Sequence, residues 1–137
     1  MSACRFCEIA AGRLPAHVVW ADEDVVAFLD ARPLLKGHTL VVPRDHVATM
    51  GDLRADRLAT LFAAVQRVCR AVEAGLGADG AFVAMNNKVS QSVPHVHVHV
   101  VPRRHKDGLR GFFWPRVHYE SDAERDAFAE KIRAALG

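Results

Sequence analysis

Pro94-His95-Val96-His97-Val98-His99-Val100-Val101-Pro102 sets three histidines at alternate positions with valines between them. Side chains of a β-strand alternate between faces, so this stretch reads as a strand with His95, His97 and His99 on one face and the valines on the other. Neighbouring imidazoles on such a face stand about 7 Å apart, near enough to converge on one phosphate-sized group. The ordinary pKa of histidine lies nearest neutrality, so at pH 7 it serves as nucleophile, proton carrier or metal ligand. This strand is the candidate site, and the rest of the chain is read outward from it.

Ala81–Asn86 reads as the preceding strand, with Asn87–Val93 as the connection to Val96–Val101. Further upstream, Leu58, Leu61, Phe62, Val65, Val68, Cys69 and Val72 recur at three- and four-residue steps, which predicts one amphipathic helix from Asp52 onward. Asp52 is its expected N-cap, and Gly75 and Gly77 its stop. His17–Trp20 and Val25–Asp30 flank the acidic Asp22-Glu23-Asp24 as a hairpin, and Thr39–Pro43 makes a third strand. Downstream, Ser121 and Glu124 form an S-x-x-E capping box for a final helix with the apolar stripe Phe128, Ile132, Ala135 and Leu136. The expected fold is α+β: an antiparallel meander of about five strands, one long crossover helix and a C-terminal helix. So small a sheet leaves an exposed edge, and a homodimer formed through an edge or the long helix is expected.

At 137 residues the chain is expected to be one domain, with its core in 4–102 and a basic, aromatic loop and helix in 103–137. Met1–Gly12 lacks the apolar run of a secretory leader, and no stretch of membrane-spanning length is apolar, so a cytoplasmic location and no membrane partner are expected. Three cysteines in such a chain argue against a disulfide framework. A net charge of +2 is too small to imply binding to a nucleic acid polymer. Arg103, Arg104, Lys106, Arg110 and Arg116, opposed only by Asp107, point instead to a local anion site.

Three readings of the histidine strand are open. The imidazoles could be half-buried polar residues of a sheet, or together form a three-histidine metal centre with an open position. The preferred reading is nucleophilic catalysis at phosphorus, with His97 attacking and its neighbours orienting it and handling charge. Ser90-Gln91-Ser92-Val93 runs directly into the strand and offers the donors that an anionic phosphoryl transition state needs, and Asn86 and Asn87 could add amides.

The segment resembles the signature of the histidine triad (HIT) family, His-x-His-x-His-x-x with apolar x. The resemblance extends to Cys4-Arg5-Phe6-Cys7-Glu8-Ile9-Ala10-Ala11-Gly12, to Val26-Ala27-Phe28-Leu29-Asp30 and to Gly37-His38-Thr39-Leu40-Val41-Val42-Pro43-Arg44-Asp45-His46, in order across 4–102. It implies a dimeric enzyme, of the branch that includes nucleotide phosphoramidases, acting at the α-phosphate of purine nucleotide conjugates: phosphoramidates, acyl adenylates or dinucleoside polyphosphates. His97 would form a covalent nucleotidyl-histidine that water hydrolyses, His99 would bind the phosphate and Ser92 the leaving group. Gln91, Val93 and Asn86 would line the nucleotide site, Asp30 would take the ribose hydroxyls, and Phe6, Ile9, Phe28 and Leu29 would make the apolar base pocket. Pattern alone also allows Phe6, Ile9 and Phe28 to be plain core. The family usually has Gly where this chain has Ser90, and the spacing from Asn86 to the triad is short.

Cys4-x-x-Cys7 by itself is a redox pair, half a zinc site, or neither. The resemblance supplies two more ligands, His46 and His95, for a structural Zn²⁺ that would leave His97 and His99 free for chemistry, with no catalytic metal required. Cys69 lies on the helix stripe and is expected in the core. Asp107–Arg116 interleaves bases with Phe112, Phe113 and Trp114. It could bind base and phosphate, close over a dimer partner's site as the resemblance implies, or pack on its own aromatics. Two other outcomes are kept: a phosphorylase of the same fold, in which phosphate discharges the intermediate, and a nucleotide-binding, zinc-stabilised module with little turnover.

Overall fold

A computed structural model describes residues 4–110 and 114–136; Phe112 and Phe113 lie outside the described residues. The chain divides into two compact units between Asp107 and Gly108.

The first unit opens with helix α1 (Arg5–Ala10). Strands β1 (Val18–Ala21), β2 (Val25–Leu29) and β3 (Thr39–Pro43) follow as the expected antiparallel meander. The acidic link between β1 and β2 folds because the Asp22 carboxylate accepts the N–H groups of Asp24 and Val25, both at 2.8 Å. A long helix α2 (Ala55–Leu76) crosses over to β4 (Gly80–Ala84), and β5 (Val98–Arg103) returns antiparallel to both β3 and β4. The strand order β1-β2-β3-β5-β4 therefore sets the histidine strand inside the sheet and β4 at its edge.

Alternation along the strands gives each sheet face its own apolar cluster. Val25, Ala27, Val41, Val96, Val98 and Val100 pack against Leu61, Ala64, Val65, Val68 and Val72 of α2. Burying a valine or leucine side chain stabilises by roughly 1.5–3 kcal/mol. The opposite face carries Val26, Phe28, Leu40 and Val42, covered by Phe6 and Ile9 of α1. The valines of the triad segment thus face α2, and the histidines share the face covered by α1.

Several local expectations are corrected. Asp52 does not cap α2: it ends a 3₁₀ turn, Met50–Asp52, and its carboxylate accepts from the Thr49 hydroxyl at 2.7 Å, while Arg54 holds the N-cap position without a side-chain cap. Gly75 lies within α2, and the helix stops at Gly77, whose φ of 63° is left-handed. Phe62 points to solvent rather than into the core stripe. The regular strand begins at Val98, so His95 and His97 sit in the extended lead-in to β5.

The second unit contains helix α3 (Asp122–Ala135). The Ser121 hydroxyl accepts the Glu124 N–H at 3.1 Å, and the Glu124 carboxylate reaches back to the Glu120 N–H at 3.0 Å. Its stripe residues Phe128, Ile132 and Leu136 are exposed, with Tyr119 edge-on to Phe128. Among the described residues no helix is long and apolar enough to cross a membrane.

Candidate active site and metal cluster

The hydrogen bonds around the histidines assign their tautomers. His97 is buried, and its Nδ1 lies 2.8 Å from the carbonyl oxygen of His95. A carbonyl only accepts, so Nδ1 carries a proton, and the neutral imidazole has its lone pair on Nε2. His95 Nε2 is 2.7 Å from the Pro43 carbonyl oxygen, which leaves its Nδ1 unprotonated. The third assignment starts at Leu34, whose N–H donates to His38 Nδ1 at 3.1 Å. His38 Nε2–H must then donate to His99 Nδ1, 2.9 Å away, and His99 presents Nε2–H as a donor.

Burial, with His97 and His38 alongside, pushes the His99 pKa down to about 4 against the opposing pull of Asp30. Burial also lowers that of His38, again opposed by Asp30. Both imidazoles are therefore neutral at pH 7, and the site holds an acceptor-type His97 Nε2 beside a donor-type His99 Nε2–H. The His97 and His99 ring centroids are 5.1 Å apart, closer than the regular strand spacing predicts, with the rings edge to face at 67°.

His38 is the residue that sequence reasoning missed. It reads as a turn residue after Gly37, yet it is buried, joins His99 directly, and lies 3.7 Å from Asp30 Oδ2. The available signal was parity: His38 shares strand alternation with Leu40, which pairs with His99. Asp30 is partly exposed, and its Oδ1 accepts the Arg32 N–H at 2.9 Å.

The other predicted residues divide into two groups. Phe6, Ile9 and Phe28 are buried together, Phe6 standing edge-on to Phe28 at 5.5 Å and to His97 at 5.0 Å. Val93 packs against this cluster, and Leu29 is exposed next to Asp30. In the connection before the triad the amides serve the loop itself. Gln91 accepts the Lys88 N–H at 2.8 Å and donates to the Ala48 carbonyl at 2.7 Å. Asn87 accepts the Met50 N–H at 2.8 Å, and Asn86 donates to the Ser90 carbonyl at 3.2 Å. Lys88 and Ser90 both have left-handed φ, 70° and 60°, which explains why glycine suits this loop elsewhere. Ser92 is exposed at its end.

A separate cluster joins Cys4, Cys7, His46 and His95, whose donor atoms all lie within 4.8 Å of one another. Cys4 Sγ is 3.4 Å and Cys7 Sγ 3.6 Å from His95 Nδ1, and Cys7 Sγ is 3.4 Å from His46 Nδ1. Zinc–sulfur and zinc–nitrogen bonds in a tetrahedron require S···N edges of about 3.5 Å. The lone pair of His95 Nδ1, fixed by the Pro43 carbonyl, is the form a metal needs. The donor set therefore fits zinc. Without metal, burial and the adjacent Cys4 thiol hold the Cys7 thiol above its ordinary pKa. Asp30, His38 and His99 form a second close group, but two of its donor nitrogens are closed on each other by the His38–His99 hydrogen bond.

The order of elements, the imidazole row and the metal cluster can now be set beside known proteins. A family model, the HIT domain, matches residues 11–106. The chain belongs to the HIT family. A crystal structure of a HIT family member from Bacillus subtilis superposes with a TM-score of 0.89 at 32% identity, covering 99% of each chain. The adenosine 5′-monophosphoramidase of Schizosaccharomyces pombe is 33% identical over 97% of this chain and 98% of its own length. A zinc-bound histidine triad protein from Mycobacterium smegmatis is similar at 37% identity and a TM-score of 0.75, covering 96% of this chain and 97% of the other. The five-stranded antiparallel sheet with its helices is thus the HIT architecture in this chain.

Proposed function

We propose that this HIT protein is a hydrolase and nucleotidyl transferase acting at the α-phosphorus of purine nucleotide conjugates through a covalent nucleotidyl-His97. The observation that carries the reading is the His97–His95 hydrogen bond, because it holds the imidazole with Nε2 unprotonated and its proton on the far side. Attack forms the His97 Nε2–P bond as the bond to the leaving group breaks, and the leaving group takes a proton from solvent at the exposed end of the site. The positive charge left on the imidazole is met by the His95 carbonyl at Nδ1. His99 Nε2–H donates to a phosphoryl oxygen, and the Ser92 hydroxyl faces the leaving group. Water then attacks phosphorus, breaks the P–N bond and returns His97 with the nucleoside monophosphate. Asp30 accepts from the ribose hydroxyls. Phe6, Phe28 and Leu29 supply apolar surface for the base.

Cys4, Cys7, His46 and His95 would hold zinc, which adds folding free energy and ties three chain segments together. Support comes from the donor geometry and from the zinc-bound mycobacterial relative. A phosphoramidate substrate is favoured by the resemblance to the yeast phosphoramidase. The test is release of AMP from adenosine 5′-phosphoramidate, with and without inorganic phosphate. AMP in both cases supports the hydrolase. ADP that appears only with phosphate identifies a phosphorylase instead, and tight AMP binding without turnover of any conjugate identifies a binding module.

A further inference from the structure

The cluster of thiols and imidazoles and the row of catalytic imidazoles share two pieces of chain. One is His95, whose Nδ1 faces both thiols while its carbonyl holds the proton of His97. The other is α1. Cys4 is the N-cap of this helix and Cys7 lies in its first turn, and between them Phe6 reaches the ring of His97 at 5.0 Å and that of His95 at 5.9 Å.

A helix of six residues with no side-chain N-cap cannot persist on its own account. Its C-terminal end is held by the Arg44 guanidinium, which donates to the Ala10 carbonyl at 2.6 Å. Its N-terminal end is tied to the sheet by the thiol–imidazole contacts and by the packing of Phe6 and Ile9. Metal coordination would replace those weak thiol contacts with four bonds and fix Phe6 against His97 and Phe28. Without the metal the N-terminal end of α1 keeps only the packing of Phe6 and Ile9 and the thiol contacts, so the wall that Phe6 gives the site is held less firmly.

We propose that α1 makes metal binding and nucleotide binding mutually reinforcing, so that each tightens the other although no metal ligand side chain touches the nucleotide. The inference rests on the nucleotide reading above. Linkage requires one factor in both directions: the gain in AMP affinity on loading zinc must equal the gain in zinc affinity on adding AMP. We expect a factor of about fivefold or more.

Calorimetric AMP titration of the zinc-loaded and chelator-stripped protein measures one side. Competition for zinc against a chromophoric chelator, with and without saturating AMP, measures the other. A third readout uses the Co²⁺-loaded protein, whose thiolate charge-transfer bands should shift when AMP is added. Phe6→Ala, and Phe6→Leu where the alanine variant folds poorly, keep all four ligands. They should bind one equivalent of metal, lose the spectral shift and bring the factor to unity. Equal AMP affinity with and without zinc, cobalt bands indifferent to AMP, or full linkage in the Phe6 variants would each overturn the proposal. Zinc-loaded protein that binds no AMP would overturn the nucleotide reading beneath it.

Discussion

Lowering the pH from 7 to 5 should destabilise the folded protein through His99. Burial holds the folded imidazole at about 4, against 6.5 for an ordinary histidine. Above 6.5 both folded and unfolded chains carry it neutral, and stability is unaffected. Below 6.5 the unfolded chain takes up the proton first, so stability falls with pH until the folded imidazole also protonates near 4. At pH 5 the protonation advantage of the unfolded chain is about 30-fold, or about 2 kcal/mol. For a domain of this size that lowers Tm by roughly 6–8 °C. His38 acts in the same direction, so this figure is the share of His99 alone. Thermal unfolding followed by circular dichroism at pH 7, 6 and 5, on the wild type and His99→Asn, isolates it. Loss of any bound metal is common to both proteins and cancels in the difference. Equal pH dependence in the two would refute the reasoning, since His99 would then titrate as an exposed histidine does.

Gly37→Ala should cost about 1–2 kcal/mol, read as a lower Tm, because a side chain is strained in this positive-φ backbone and the exposed Leu76 side chain must turn aside for it. The residue has φ of 99°, and an added Cβ would lie 2.5 Å from Leu76 Cδ1 and 3.0 Å from Pro102 Cγ; an unchanged Tm contradicts this. Ser90→Gly should raise stability by about 0.5–1 kcal/mol, since it relieves a left-handed serine; denaturant unfolding with a lower midpoint would count against it. Chelation should lower the Tm of the zinc-loaded wild type and leave that of Cys7→Ser unchanged, since that variant has lost a ligand. A chelator-sensitive Cys7→Ser protein would mean that the metal sits elsewhere.

What could be read from the sequence follows the range of each signal. The histidine–valine alternation separated valines and imidazoles onto opposite faces, and the structure adds that the valine face meets α2; the three- and four-residue periodicity found α2 because twenty-two residues average out local exceptions such as Phe62. Helix α1 was not legible. Six residues carry too little periodicity, and its stability comes from Phe6, Ile9 and the cysteines meeting residues far along the chain. His38 escaped for the same reason: its partner His99 is sixty-one residues away, and only the β3–β5 pairing brings them together. The polar loop before the triad is likewise fastened by distant partners: the amides of Gln91 and Asn87, residue types that bind phosphate, hold it to 48–50.

The most direct measurement is mass spectrometry of the intact protein, quenched without acid within a turnover of mixing with adenosine 5′-phosphoramidate, on wild type and His97→Ala. The account predicts an AMP adduct on the wild type that maps to His97, and neither adduct nor AMP release from His97→Ala. Turnover by His97→Ala, or an adduct carried by another residue, would contradict it.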